Sequence, residues 1–317
     1  MYNKLLFTTG LLAAASTVAL AHDGPRVWLG NVNSKITTYT SDNDDQPSVY
    51  STARVFIAAF DDLEGTYTTE FPGFELRRDG QSNIASGTIF DFTLAGPLLK
   101  LDGPGNRLAP TSALFNGNPP APQLSVSLGA AQRTTNSGVL PGFSFFGSSP
   151  GEHAHLSFTL LGDGTTPSGG PDGVYVLPML LTTSTLSRSD WFFLTLQNNN
   201  TIAQRVQAVG LAQRMADAPT GDANFDHTVN LDDFTALAAS FGGAGKWWAD
   251  GDFNFDGSVN LDDFTALASN FGLTLPAQAP RHDRAAAPAS VPEPVGVLGV
   301  VLMSLLALRH RKAARSR

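Results

Sequence analysis

The chain of 317 residues has no cysteine, which excludes disulfides, thiol nucleophiles and zinc–thiolate sites. It is also poor in charge. Only 15% of its residues are Asp, Glu, Lys or Arg, with 20 Lys and Arg against 28 Asp and Glu. Six of those cations sit near the ends: Lys4, Arg309, Arg311, Lys312, Arg315 and Arg317. Setting them aside leaves 14 basic residues against 28 acidic ones, a balance near −14 with histidine neutral. So acidic a body does not seek nucleic acid or an anionic membrane surface, and it attracts divalent cations. Phosphate loops and dinucleotide fingerprints are missing too.

Helical periodicity is scarce before residue 201. Residues 22–215 instead carry short apolar runs at 53–60, 88–94, 124–128, 154–161, 174–181 and 191–196. Turn-forming clusters such as Asp102-Gly103-Pro104-Gly105 and Asn116-Gly117-Asn118-Pro119-Pro120 separate them. Many short strands at this spacing predict a mainly β protein whose first domain is β-sandwich or jelly-roll-like. Pro178, inside an otherwise good strand, points to an edge or a bulge. Residues 202–215 read as one helix, and residues 216–220 as a hinge.

Beyond the hinge the chain writes nearly the same 22 residues twice, at 221–242 and again at 251–272. The first copy places oxygen-bearing side chains at Asp222, Asn224, Asp226, Asn230 and Asp233. The second places them at Asp252, Asn254, Asp256, Asn260 and Asp263. Counted from the first Asp these are positions 1, 3, 5, 9 and 12 of a calcium loop, while Thr228 and Ser258 at position 7 would lend a backbone carbonyl. A hard cation takes about 6–8 oxygens at about 2.3–2.6 Å, which only a tightly curled loop can aim at one point. Asn230 and Asn260 are good helix N-caps. After them Leu231, Phe234, Leu237 and Phe241, and Leu261, Phe264, Leu267 and Phe271, recur at helical spacing, each run closed by glycine. Val229 and Val259 are expected to pair in a short bridge between the loops. Gly257 suits the sharp turn at position 6, where His227 stands in the first copy, so the first of two calcium sites is expected to be the weaker. Chelation is expected to melt residues 221–272 and leave the β-domain folded.

With Asp rather than Glu at position 12, this tandem loop-helix form resembles a type I dockerin over residues 220–273. The resemblance implies a small α-helical calcium-binding module and a cohesin-like protein partner, met through a helix face near Leu261, Asp262 and Thr265 or the matching Leu231, Asp232 and Thr235. Trp247 and Trp248, between the loops, are read as cover for the interhelix seam or as a partner surface.

Both ends read as addresses. Lys4 precedes an apolar stretch at 5–20, and Ala19-Leu20-Ala21 fits cleavage after Ala21, giving a signal peptide over 1–21 and a role for signal peptidase. Residues 274–291 form a Pro/Ala-rich spacer. Pro292, Glu293 and Pro294 then lead into 14 apolar residues at 295–308 and a basic tail. That run is shorter than the ~17–25 residues of a comfortable membrane helix. The arrangement, over 292–317, resembles the PEP-CTERM sorting signal. It implies a C-terminal hydrophobic sorting helix, recognition by an exosortase and at least transient membrane anchoring; a plain membrane anchor is the alternative. The protein is expected to be exported, at the cell envelope or surface or outside the cell.

Within the large domain His153 and His155 are the sharpest local feature. On a strand they share a face with Ser157 and Thr159, opposite Ala154, Leu156, Phe158 and Leu160. Two imidazoles at that spacing can share zinc or copper if Glu152 or His22 supplies a third ligand. A polar strand face that simply carries two histidines is the alternative. Together with HDGPRVWLGNVNSKI, PGFELRRDG, GEHAHLSFTLLG, DGVYVLPMLL and SDWFFLTLQN, the pair resembles a module of zinc-regulated PEP-CTERM surface proteins of cyanobacteria, which implies histidine-centred metal handling by His22, His153 and His155. Two acidic patches, Asp42/Asp44/Asp45 and Asp61/Asp62/Glu64, read as solvated loops rather than a catalytic pair, and no catalytic constellation is found. Trp28, Tyr39, Tyr67 and Trp191 are read as core or as a sugar platform. The expected function is an exported calcium-binding protein whose repeats mediate protein–protein attachment and present a β-domain of unassigned ligand. The alternatives are a zinc-binding surface protein, or a carbohydrate-binding or carbohydrate-active protein.

Overall fold

The computed structural model describes residues 25–43, 47–63, 65–102, 107–115, 121–148, 153–162 and 170–276. The chain divides into two compact units, residues 1–276 and 277–317. The second unit lies wholly outside the described residues, as do Ala21, His22, Glu152 and the motif Pro292-Glu293-Pro294.

The described chain is mainly β. Its strands are β1 (Arg26–Val32), β2 (Lys35–Ser41), β3 (Tyr50–Thr52), β4 (Val55–Ala59), β5 (Asp61–Leu63) and β6 (Thr66–Thr69). Next come β7 (Gly73–Leu76), β8 (Ile89–Leu94), β9 (Leu99–Asp102), β10 (Arg107–Pro110), the short helix α1 (Thr111–Phe115), β11 (Gln123–Leu128) and β12 (Ala131–Thr134). Then follow β13 (Leu140–Gly147), β14 (His153–His155), β15 (Ser157–Leu161), β16 (Gly173–Thr182) and β17 (Phe192–Asn198). Helices α2 (Ile202–Asp217), α3 (Leu231–Ser240) and α4 (Leu261–Asn270) complete the chain. The strands form three open sheets. One is ordered β14-β7-β1-β2-β3, the second β10-β9-β16-β17-β4 with β8 and β13 joined through β16, and the third β12-β11-β15-β6-β5.

The pattern of burial explains the second sheet. Every residue of β16 except the last is buried, and so is β17 but for Gln197. Such a continuous apolar strand needs cover on both faces. Tyr175, Leu177, Met179 and Leu181 join Phe192 and Leu194 in a core rich in phenylalanine. Their neighbours Val176, Leu180 and Phe193 enter a second core with Ala212 and Met215 of α2 and with the repeats. Pro178 is therefore central, not at an edge. Its carbonyl accepts Ala95 N at 2.9 Å, so its missing N–H faces the place where β16 changes neighbours, from β9 at Val176 to β8 at Met179. The proline removes no ladder bond there.

The run 154–161 is also redirected. β14 pairs with β7 in the first sheet, and β15 with β11 and β6 in the third. The chain changes sheets at buried Leu156, so the histidines do not share a sheet with Ser157 and Thr159. Two parallel pairings, β1 with β7 and β17 with β4, tie distant segments together.

Candidate functional site

Each repeat curls through side-chain acceptance of backbone N–H groups. Asp233 accepts from Ala223 N at 2.8 Å, Asn224 N at 3.2 Å and Asn230 N at 2.8 Å, closing the loop onto its own start. Asp222 accepts from His227 N at 2.8 Å and Asp226 N at 3.2 Å. The second copy repeats this: Asp263 accepts from Phe253 N at 2.9 Å and Asn260 N at 2.9 Å, and Asp252 from Gly257 N at 2.9 Å. Asn230 and Asn260 cap α3 and α4 in boxes completed by Asp233 and Asp263.

Asp222, Asp233, Asp252 and Asp263 are all 0% exposed. Burying carboxylates in pairs is costly unless a cation joins them. The cost is visible in the acidity of Asp252 and Asp222. Burial pushes Asp252 up to about 7, with the charges of Asp263 and Asp256 adding to it against the Gly257 N–H bond. Burial likewise raises Asp222, with Asp233 contributing. Among the described residues no three His, Cys, Asp or Glu side chains form a group able to hold an ion on their own. The donor set of each repeat is mixed instead: three Asp carboxylates, two Asn amides and a backbone carbonyl at Thr228 or Ser258. Chemically that set suits a hard divalent cation.

Position 6 differs between copies as its residues require. His227 has φ 68° and Gly257 has φ 83°, both in the left-handed region that favours glycine. His227 is 4% exposed, and its Nε2 has no hydrogen-bond partner among the described residues.

Val229 and Val259 do not pair with each other. Val229 N donates to Leu273 O at 2.9 Å, and Gly272 N to Val229 O at 2.8 Å; Val259 N donates to Gly243 O at 3.0 Å, and Gly242 N to Val259 O at 2.8 Å. Each loop is thus braced by the chain leaving the other copy's helix. The apolar stripes are only half covered. Leu237 and Leu267 are 1% exposed, whereas Leu231 and Leu261 are 65% exposed and Phe241 and Phe271 about as open.

The tryptophans between the loops meet neither an open surface nor the helix seam alone. Trp248 stacks on Trp191 of the β-domain, centroids 4.7 Å apart and rings 23° from parallel, and its Nε1 donates to Asp222 O at 2.6 Å. Phe225 and Phe255, at position 4 of each loop, also lie against Trp191, at 6.1 Å and 5.2 Å. Arg188 donates from Nη1 to Asn254 O at 2.7 Å and lies over the Phe255 ring. The segment read as a hinge is packed rather than open, with Ala216 1% exposed and Arg54 paired to Asp217 at 2.8 Å. Sequence reasoning missed Arg188, Trp191 and Val139 as partners of the repeats. The two-sided apolar run of β16 and the repeated Phe at position 4 are the signals that mark them.

The histidine pair is placed together but among cations. The rings of His153 and His155 are 5.0 Å apart, nearly perpendicular. His155 Nδ1 lies 2.8 Å from Glu70 O. His153 stands opposite Glu75, a buried carboxylate held by Arg78 and, at 3.6 Å, by Arg26. Burial first, and then His155, hold the His153 pKa below the ordinary histidine value; Arg26 and Arg78 push the same way, and Glu75 opposes them.

The other expected sites resolve into structure. Asp42 accepts from Ser48 Oγ, Ser48 N and Val49 N, which together hold its carboxyl down at about 2; so weak a base suits a loop brace. Asp61 and Asp62 are exposed on β5, and Asp44, Asp45 and Glu64 lie outside the described residues. Trp28, Tyr39 and Trp191 are buried, and Trp28 is flanked by Arg26 and Arg78; none of the three offers an open sugar platform.

No family model matches the chain, and no curated protein is similar to it. Among solved structures, a family 123 glycoside hydrolase from Clostridium perfringens, described for glycolipid glycan hydrolysis, aligns at 11% identity and a TM-score of 0.19, over 47% of this chain and 23% of that one. A likeness at that score carries no argument about fold or activity.

Proposed function

We propose that the protein is an exported, envelope-associated calcium-binding protein. Its two dockerin-like repeats hold one ion each, through Asp222, Asn224, Asp226, Thr228, Asn230 and Asp233 and through Asp252, Asn254, Asp256, Ser258, Asn260 and Asp263. The observation that carries this reading is the pair of fully buried carboxylates in each loop, an arrangement that a divalent cation would stabilise and its absence would oppose. The ion's role is structural: it neutralises the carboxylates and fixes the loop, while the chain supplies the curled backbone. Export and sorting, through cleavage after Ala21 and the 292–317 signal, rest on sequence alone. The three sheets are read as a sandwich-like body whose own ligand is unassigned. The exposed leucines Leu231 and Leu261, at the same place in both copies, offer a repeated apolar contact to an attachment partner of the cohesin kind.

Calcium titration of the full chain by calorimetry tests the reading. Two binding events are expected, one lost in Asp252→Ala and the other in Asp222→Ala. No heat and no change in melting with saturating calcium would refute it. A zinc reading at His153 and His155 has their mutual contact in its favour and the cationic neighbours Arg26 and Arg78 against it. Zinc titration with and without both histidines decides that one.

A further inference from the structure

We propose that the β-domain is itself the resident partner of the two loops, so that calcium binding and seating of the loops on Trp191 and Arg188 are one thermodynamic event. The inference rests on the calcium reading above and adds the partner to it.

The geometry of the loops directs the contact. Position 4 carries no oxygen donor in either loop, and its side chain packs instead against the core shared with the second sheet. Phe225 and Phe255 stand there with φ 62° and 58°, a left-handed backbone that a bulky residue adopts only when its surroundings hold it. What holds them is Trp191, against which both rings lie. Two further links run straight to the donor residues. The Trp248 indole stacked on Trp191 donates to the carbonyl of Asp222, position 1 of the first loop. Arg188 donates to the carbonyl of Asn254, position 3 of the second. A third link runs through the connecting segment: Val139 N donates to Lys246 O at 3.0 Å, and Lys246 N to Gly257 O at 3.1 Å, position 6 of the second loop.

The fit is close as well as specific. A Cβ on Gly138 would come within 2.3 Å of the Gly245 carbonyl, and one on Gly96 within 2.8 Å of the Trp247 ring. Val176, Leu180 and Phe193 of the second sheet share one core with Val229, Leu237, Val259 and Leu267 of the repeats. An ion that orders the loops therefore also orders the surface that covers β16 and β17. By linkage, the factor by which the ion favours the seated surface is the factor by which the seated surface favours the ion, so loosening that surface lowers calcium affinity. The expectation that chelation melts the repeats and spares the β-domain gives way: both should loosen together.

The test uses the full chain, Trp191→Ala, Arg188→Gln and Phe255→Leu, with calcium affinity by calorimetry and amide exchange of β16 and β17 with and without chelator. Affinity should fall on the order of tenfold in Trp191→Ala and several-fold in the other two, and chelator should speed exchange in both strands of the wild type. If Trp191→Ala fails to fold, Arg188→Gln and Phe255→Leu carry the test, since neither opens the centre of the core. Unchanged affinity in every folded variant, with wild-type exchange indifferent to chelator, would overturn the coupling while leaving calcium binding intact. A wild type that binds no calcium would overturn both, and is recognised before any variant is made.

Discussion

Trp191 and Trp248 stack with 4.7 Å between ring centroids and 23° between planes, although one belongs to the strand domain and the other to the segment between the two loops. Offset aromatic stacks of this kind contribute about 0.5–1.5 kcal/mol beyond the area they bury. The contact joins the acidic repeats to the body of the protein. It places the repeats among the structural supports of the strand domain rather than on a free tether.

Gly138 measures how tightly the joint closes. Gly138→Ala should cost about 1–3 kcal/mol, because its added methyl meets backbone at Gly245 rather than a side chain that can turn away. Gly147→Ala is the control, its added atom 3.6 Å from Ile89 Cδ1, and should be nearly neutral. Chemical denaturation of the two variants side by side checks the difference.

His227 is expected to make the first loop the poorer calcium site. The left-handed backbone costs a side chain roughly 1–2 kcal/mol relative to glycine, and its buried Nε2 lacks a partner among the described residues. His227→Gly should therefore raise the affinity of the first site several-fold. In the wild type, Asp252→Ala should depress calcium-dependent melting more than Asp222→Ala. Equal losses in the two Asp variants would show the sites to be matched.

A pH effect follows from Asp252, whose carboxyl burial raises to about 7. An acid raised above its unfolded value favours the protonated fold, so the stabilisation is complete below the usual carboxylate range and is lost as pH rises toward 7. With chelator present, the melting temperature should fall between about pH 4 and pH 7 and level off above. With saturating calcium that decline should shrink, because the ion takes the place of the proton. Melting curves across that range, with and without chelator, give the comparison.

For His153 the sign is opposite. His153 is held below the ordinary histidine value of 6.5 by burial and then by His155, so its neutral form is favoured in the fold. That contribution is present above 6.5 and declines as pH falls through the lower folded value. Proton NMR titration should show His153 turning over at lower pH than free histidine. A midpoint at or above the free value would mean that Glu75 dominates its surroundings.

Much of this was legible in the chain. The repeats announce their loops because oxygen-bearing side chains, N-caps and glycine stops recur at fixed spacing, and local chemistry of that kind survives any tertiary setting. The same holds for β8 and β11 and for α2, which fall where apolar runs and periodicity put them. What was not legible is relational. Pro178 sits mid-sheet because two different neighbours meet opposite its nitrogen, a fact about strand order. The run at 154–161 splits at Leu156 because its halves pair with strands far away in sequence. Trp191 reads as core or as a sugar platform, and nothing near it names Trp248 as the residue it meets.

Scanning calorimetry of the full chain, in saturating calcium and again in excess chelator, tests the central claim most directly. The account predicts a calcium-dependent upward shift of one cooperative transition, of a size set by about 2.7 kcal/mol for each site at which free calcium is 100 times the dissociation constant. Superimposable scans in the two solutions would contradict it.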